Sequence, residues 1–319
     1  MSILSQPRHE AAGTPGTAGA PASPASLASP ASPGGPGAPG APGQARPARE
    51  QRRRRRLGIA GLVVPAAVIL IGLAWAIAPG LFTQISPTET VGPALQGPSL
   101  AHWFGTDATG RDLFARVIYG ASQSIIGALV AVLVGFVVGT TIGVLAGSVG
   151  GLVDEALMRC VDVLLAIPAL LLSLSIVILL GFGTTNAAIA VGVTSIAVFA
   201  RLARSQVVSV RVSEYVEAAY GSGGTFLTVL WRHILPNSLT PVVALAALQL
   251  GSAILQISTL GFLGYGAPPP TPEWGLLIAD GRNYVATAWW LTVLPGLVVV
   301  AIVLATNRLS HYIRGGDPA

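Results

Sequence analysis

The stretch EYVEAAYGSGGTFLTVLWRHILPNS, residues 214–238, is a polar segment between two long apolar runs. Only 10% of the whole chain is charged, yet this segment carries two glutamates, an arginine and a histidine. Apolar positions at helical spacing predict a helix that continues without a break from Arg201 to Ala219, where glycines interrupt it. Thr225 is suited to be the N-cap of a second helix, which Pro236 is expected to end. We therefore predict a polar helix–turn–helix hairpin between two membrane spans.

The composition of the chain is that of a polytopic membrane protein. Its 319 residues are 52% hydrophobic, with a mean hydropathy of +0.69, which is too apolar for a soluble domain. All eighteen basic residues are arginine, and a phosphate-binding loop of the G-x-x-x-x-G-K-[ST] kind needs a lysine. If ATP drives this protein, we expect ATP and Mg²⁺ to bind to a partner chain.

Candidate metal ligands are few and scattered. The single cysteine, Cys160, allows neither an internal disulfide nor a thiolate metal site. The four histidines show no ligand spacing, so we expect no metal centre and no cofactor in this chain.

The N-terminal region divides into a tail and an anchor. Residues 1–50 are mostly Ala, Pro, Gly and Ser, which predicts a disordered cytoplasmic tail. Residues 51–80 contain the cluster Arg52–Arg56 followed at once by an apolar run, which predicts a basic anchor and a first span with its start in the cytoplasm. A nucleic-acid-binding tail is the alternative interpretation. It is disfavoured because the cluster directly precedes a span in the sequence, and we expect no nucleic-acid partner.

Six apolar runs are long enough to cross a bilayer, which predicts an all-α fold with six transmembrane helices and both termini in the cytoplasm. Residues 81–117 are then an external segment, residues 118–309 a transmembrane core, and residues 310–319 a cytoplasmic C-terminus. The predicted spans are residues 57–78, 118–147, 160–181, 187–206, 239–261 and 287–307.

The arginines support this topology, because basic residues are more frequent on the inner side of a membrane. Only Arg111, Arg116 and Arg282 fall outside in the six-span arrangement. Trp289 and Trp290 begin the last span, where aromatic rings favour the outer interface.

Small residues recur at every fourth position of the second predicted span. This spacing keeps them on one helical face, where a second backbone can approach closely, within this chain or in a partner. The alternative is that glycine is simply common in membrane helices. The residues are Gly127, Ala131, Gly135, Gly139, Gly143 and Gly147.

Charges and prolines mark the remaining spans. Four charged residues at the start of the third span are expected to pair with one another near the inner interface; a proton relay would need acids deep in the membrane. Three prolines in or near spans are expected either to kink helices around a pathway or to mark tolerated bends. The charged residues are Asp154, Glu155, Arg159 and Asp162, and the prolines are Pro168, Pro241 and Pro295.

The hairpin resembles the EAA loop of ABC importer permeases. The resemblance rests on Glu217-Ala218-Ala219, then Gly223, then Ile234-Leu235-Pro236, at the spacing of that motif. The ending Arg232–Asn237, RHILPN, is similar to that of the dipeptide, oligopeptide and nickel branch.

Two further segments resemble the same branch. GTDATGRDLFARVIYGA, residues 105–121, is similar to its external segment, and LGFLGYGAPPPTPEWG, residues 260–275, is similar to its signature external loop. The chain departs from the family pattern at Tyr220-Gly221-Ser222, near Asn307, and in its long N-terminal tail. Over residues 57–319 it is identified as a member of this family, with the C-type permease subunit as the most similar kind.

The resemblance implies a type I ABC importer permease of MetI-like fold in the bacterial cytoplasmic membrane, surrounded by lipid. It implies a second homologous permease subunit, one or two ABC ATPase subunits and an extracytoplasmic substrate-binding protein as partners. The implied substrate is a dipeptide or oligopeptide, and this chain would hold no ATP site of its own. The residues implied in coupling to the ATPase are Glu217, Ala218, Ala219, Gly223, Arg232, Ile234, Leu235 and Pro236.

Other functions compete with this interpretation. Within the importer class, nickel or another small solute is an alternative substrate. An ion-coupled secondary transporter would need coupling-ion sites at broken helices or midplane acids, and no predicted span has an acid at its centre. A membrane scaffold without transport activity is the third possibility.

Overall fold

Helices dominate the computed structural model of the chain, which describes the backbone of residues 48–313 and the side chains of residues 62–312 except His311. Of the predicted disordered tail, residues 1–47 lie outside the described residues, as do residues 314–319; residues 48–50 are helical. The helices are α1 Ala48–Ile77, α2 Leu113–Ala121, α3 Gly127–Val149, α4 Gly151–Ala166, α5 Ala169–Leu180, α6 Thr184–Arg211, α7 Glu214–Gly221, α8 Phe226–Val229, α9 Leu235–Phe262, α10 Trp274–Gly281 and α11 Trp290–Ile313.

Two π-helical turns join shorter helices into long ones. The turn Ser122–Ile126 connects α2 to α3, and the turn Leu230–Ile234 connects α8 to α9. Within the described residues, four helices are then long and apolar enough to cross a membrane: Leu113–Val149, Thr184–Arg211, Phe226–Phe262 and Trp290–Ser310. The first predicted span falls in α1, of which Leu62–Ile77 is an apolar helix.

The third predicted span is not one straight helix. Its residues lie in α4 and α5, whose axes differ by 93°. Pro168 causes the break, because proline disfavours helical backbone at the preceding residue and Ile167 has an extended conformation. The expectation of a kink at Pro168 is met, whereas Pro241 and Pro295 lie inside α9 and α11.

Helices α3 and α6 form the centre of the bundle. A Cβ atom added to Gly139 would lie 2.4 Å from the Ile196 carbonyl oxygen, and one added to Gly143 would lie 2.3 Å from the Ala200 carbonyl oxygen. Gly135 and Gly147 meet α6 at similar distances. The stripe of small residues therefore faces α6 of the same chain, so that the two backbones are in contact.

The charged cluster at the start of α4 differs in part from its prediction. Glu155 and Arg159 pair with each other, but Asp154 and Asp162 pair with Arg204 and Arg201 of α6. Arg204 donates to both carboxylate oxygens of Asp154, at 2.9 and 2.6 Å. The cause is the packing of α4 against α6, which places the arginines within reach of the two aspartates.

The segment between α1 and α2 is ordered by the carboxylate of Asp107. It accepts hydrogen bonds from Thr109, from Arg111 and from the buried guanidinium of Arg116. Burial alone would raise the pKa of Asp107, but the hydrogen bonds from Arg111 and Thr109 lower it to about 2. The predicted external segment is thus a folded cap, and its last five residues belong to α2.

The loop between α9 and α10 docks on α2 and on the turn that follows it. The indole N–H of Trp274 donates to the Val117 carbonyl at 2.9 Å, and its backbone N–H donates to Ser124 Oγ at 3.2 Å. The preceding residue, Glu273, is fully buried, and its Oε2 accepts the Ala267 backbone N–H at 3.1 Å. This end of the bundle, which also holds Asp107, is called the loop end below; the end that holds residues 214–238 is the hairpin end.

Candidate functional site: the hairpin

The hairpin is joined to α6 through a short break rather than a continuous helix. Helix α6 ends at Arg211, and α7 begins at Glu214, so the prediction of one helix from Arg201 to Ala219 is wrong. Ser213 has extended backbone and supplies the first carbonyl of α7, which accepts the N–H groups of Val216 and Glu217. The valine-rich sequence hides this boundary, because apolar spacing continues across it.

Arg211, the last residue of α6 before the hairpin, is hydrogen-bonded to α3. Its guanidinium donates to the carbonyls of Gly147 and Ser148, at 3.3 and 3.1 Å, in the last turn of α3. A positive charge at this position also interacts favourably with the C-terminal end of the helix dipole. The hairpin end of α3, the end of α6 and the start of the hairpin therefore form one connected unit.

The hairpin has a small apolar core of its own. Val216 of α7 and Ile234 of the second arm are buried together with Val207 of α6, and Ala219 packs against them. Ile234, expected to contact an ATPase, is only 1% exposed and instead holds the hairpin to the bundle. Leu235 is half-buried at the same place.

The turn of the hairpin depends on a glycine with left-handed backbone. Gly223 has φ +85°, and its N–H donates to the Tyr220 carbonyl. The next residue, Gly224, donates to the Ala219 carbonyl, and a Cβ there would lie 2.7 Å from that same oxygen. Two adjacent positions thus need glycine for different reasons, one for conformation and one for space.

The second arm of the hairpin runs directly into the membrane span. Thr225 occupies the N-cap position as predicted, but its hydroxyl bonds to the Thr228 hydroxyl and not to a backbone N–H. Pro236 does not end a helix; it lies in the first turn of α9. The π-helical turn before it, in which Leu235 donates to the Leu230 carbonyl, opens the backbone where the proline ring would otherwise collide.

The predicted coupling residues are divided between the surface and the core of the hairpin. Glu217, Ala218, Gly223, Arg232 and Pro236 are exposed, Ala219 and Leu235 are half-buried, and Ile234 is buried. Ala218, Gly223 and Arg232 line one shallow groove between the two arms, together with Ala219.

An exposed apolar pair beside this groove was missed by the sequence interpretation. Leu227 is 64% and Trp231 is 70% exposed, and they lie four residues apart on the second arm. A spacing of four residues puts Leu227 and Trp231 on one helical face, and this spacing was visible in the sequence. Val229 and Leu230, which lie between them, are buried. Together with the groove they form a surface with apolar, small and charged residues, which is suited to a protein partner.

These features define a polytopic, helical membrane protein with a polar hairpin packed on one end of its bundle. Residues 139–314 match the family described as "binding-protein-dependent transport system inner membrane component". The chain is 40% identical over 265 residues, 82% of its own length and 86% of the relative's, to the dipeptide transport system permease protein DppC of Alkalihalophilus pseudofirmus. It is 44% identical over 223 residues, 70% of its own length and 74% of the relative's, to the glutathione transport system permease protein GsiD of Shigella flexneri.

A solved structure has the same fold. The native crystal form of the inward-facing MetNI methionine ABC transporter matches 63% of this chain and 97% of its own matched chain, with a TM-score of 0.50 and 20% identity. The chain therefore belongs to the family of inner membrane permease components of binding-protein-dependent ABC transport systems, and its fold is the MetI-like permease fold.

Proposed function

We propose that this chain is the permease subunit of an ATP-driven importer of dipeptides or short peptides. The relatives named for dipeptide and glutathione transport support the substrate class, since glutathione is itself a small peptide. The single observation that carries the mechanism is the hairpin, which exposes a groove and is attached to the hairpin ends of α3, α6 and α9. A permease for nickel or another small solute is less well supported, because the described residues contain no group of potential metal ligands.

The partners and energy source follow from the same reasoning. The groove of the hairpin is the docking site of a cytoplasmic ABC ATPase. ATP and Mg²⁺ bind to that ATPase rather than to this chain, since this chain has no lysine for a phosphate-binding loop. A second homologous permease completes the pathway, one or two kinds of ATPase subunit supply the energy, and an extracytoplasmic binding protein delivers the peptide. This chain itself then needs no cofactor and has no enzymatic activity.

The proposed orientation in the bacterial inner membrane puts the hairpin end in the cytoplasm. Arg201, Arg204 and Arg211 lie toward that end of α6, whereas Arg111 and Arg116 lie at the loop end. The positive-inside bias supports a cytoplasmic location for both termini.

Cysteine labelling in intact cells tests the orientation. After replacement of the exposed Cys160 by serine, a cysteine at Thr271 should react with a membrane-impermeant maleimide, and a cysteine at Ser222 should react only after permeabilisation. Labelling of Ser222→Cys from outside would reverse the topology and refute the docking of a cytoplasmic ATPase at the hairpin.

Uptake by the reconstituted complex tests the function. Proteoliposomes that contain this chain, its partner permease, the ATPases and the loaded binding protein should accumulate a labelled dipeptide only when ATP is supplied on the hairpin side. Uptake driven by an ion gradient without ATP would instead identify a secondary transporter.

A further inference from the structure

An apolar groove with a charged margin lies between α4, α6 and α9, away from the hairpin. Its walls include Leu165 of α4, Val198 and Leu202 of α6, and Pro241 and Leu245 of α9, and this open groove has a volume of about 660 Å³. Cavities of roughly 300–1,000 Å³ with mainly apolar walls and a few polar groups are typical of small-molecule sites. The volume is therefore suited to a ligand of dipeptide or tripeptide size.

Arg201 and Ser205 supply the polar groups of this groove. They lie one turn apart on α6, line the apolar groove, and also line an adjoining charged depression that contains Asp162 and Asp154. Arg201 is therefore at the boundary between an apolar wall and a charged one.

The depth of Arg201 restricts what its guanidinium can face. Helix α6 has 28 residues, so it is about 42 Å long, and Arg201 lies about 15 Å before its end. At this depth a charged side chain is costly in lipid and faces a water-filled cavity or protein. Its side chain is 59% exposed in the isolated chain and lines the groove, so the guanidinium is accessible to a ligand there.

The ion pair between Arg201 and Asp162 is exposed, so that another carboxylate can replace that of Asp162. It donates one hydrogen bond to Asp162, whose side chain is 62% exposed. Arg204, one turn further along, makes two hydrogen bonds to Asp154, whose side chain is only 18% exposed. Exposed pairs with a single contact contribute little to stability, whereas bidentate, shielded pairs contribute more. The Arg204–Asp154 pair also joins α4 to α6, so a change of partner at Arg201 leaves one of the two ion pairs in place.

We propose that this groove carries the peptide during import, with the Arg201 guanidinium binding the C-terminal carboxylate of the peptide in place of Asp162. Every unmodified linear peptide has that carboxylate, whatever its side chains, and the planar guanidinium matches it in geometry and charge. The apolar walls contact the peptide side chains without selecting among them. This assignment rests on the proposed peptide-import function and adds the substrate group that the permease recognises.

Two substitutions with opposite expected effects test the assignment in the reconstituted complex. The measurement is the uptake of labelled Ala-Ala at a saturating concentration of loaded binding protein. Arg201→Gln should lower the uptake rate roughly ten-fold, the loss expected when one charge-assisted contact is removed. Asp162→Asn should raise the rate, because the carboxylate that competes with the peptide is gone. Arg308→Gln, which removes an exposed arginine of α11 that lines neither the groove nor the charged depression, is the matched control and should transport as wild type.

Other outcomes would overturn the assignment. Equal losses in Arg201→Gln and Asp162→Asn would mean that the pair only braces α4 against α6. Wild-type uptake in Arg201→Gln would place the peptide elsewhere, and loss of the partner permease on purification of that variant would mean that a partner helix occupies the groove. If the wild-type complex takes up no peptide at all, the proposed function itself fails, which the wild-type measurement distinguishes from failure of the assignment.

Discussion

Gly143 of α3 lies so close to Ala203 of α6 that a Cβ atom on the glycine would stand 2.7 Å from the Cβ of Ala203. Real Cβ atoms do not approach to this distance, so no residue other than glycine fits at position 143 without movement of α6. The contact lies in the part of the bundle that supports the hairpin. Its loss should therefore affect both the stability of the chain and the position of the hairpin.

Substitution of Gly143 should destabilise the bundle by overpacking. We expect Gly143→Ala to lower the free energy of unfolding by about 1–3 kcal/mol, and Gly143→Leu to prevent assembly with the other subunits. Thermal unfolding of the purified chain in detergent measures the first effect and co-purification the second. Gly296→Ala, at a helical glycine of α11 with open space around it, is the control. Equal melting temperatures for Gly143→Ala and the control would show that α6 moves aside at no cost.

Substitution of Gly223 should distort the hairpin turn without affecting the spans. Valine tolerates φ +85° poorly, at a cost of about 1–2 kcal/mol, so Gly223→Val should uncouple ATP hydrolysis from transport or release the ATPase. Gly221→Val is the matched control, since Gly221 has ordinary helical φ and open space. Substrate-stimulated ATPase activity and ATPase pull-down are the measurements. The same result for both valine variants would remove the special role of position 223.

A large charge in the groove of the hairpin should block docking. Ala218 is exposed, whereas Ala219 packs against the hairpin core, so Ala218→Arg tests the surface more cleanly than Ala219→Arg. An arginine there overfills the contact and adds a desolvated charge. We expect at least a ten-fold loss of ATPase pull-down, whereas Ala218→Ser should bind as wild type. Undiminished pull-down with Ala218→Arg would show that the ATPase docks elsewhere.

The buried carboxyl of Glu273 should make stability depend on pH. Burial raises the pKa of Glu273 from 4.5 to about 7, so the folded chain favours the neutral acid. Its stabilising contribution is complete below the unfolded pKa and is lost as the pH rises through 7. Glu273→Gln cannot ionise and should exceed wild type in stability by up to about 3 kcal/mol at alkaline pH.

Melting temperatures of wild type and Glu273→Gln from roughly pH 5 to pH 9 test this linkage. Burial also raises the pKa of Asp280. Because Asp280 is present in both proteins, the difference between their melting temperatures reports on Glu273 alone. A difference that does not change with pH would mean that the carboxyl stays ionised, or that it finds a partner when the loop end moves.

The sequence predicts the helical fold well where a single local signal decides the structure. Apolar runs located the four helices that are long and apolar enough to cross a membrane in the described residues, and the four-residue spacing from Gly135 to Gly147 located a face of close helix contact. The sequence did not show that the contact partner is α6 of the same chain, because spacing defines a face and not what packs on it.

The errors arise where two local signals compete. Between Arg211 and Glu214 the apolar spacing predicted one continuous helix, but the extended backbone of Ser213 separates α6 from α7. At Pro236 a proline predicted a helix end, but the π-helical turn before it allowed the helix to continue. Likewise Asp154 and Asp162 were assigned to partners near in sequence, although arginines of α6 were near in space.

Because the second arm of the hairpin and the span after it form one helix of 37 residues, the two faces of the membrane are joined by a rod about 55 Å long. We expect a sideways push on the arm to tilt this helix about the point where its neighbours hold it, so that the far end moves in the opposite sense. The loop that contains Glu273 follows that far end. If an ATPase docks at the hairpin as proposed, we expect its movement to reach the loop end through this one helix.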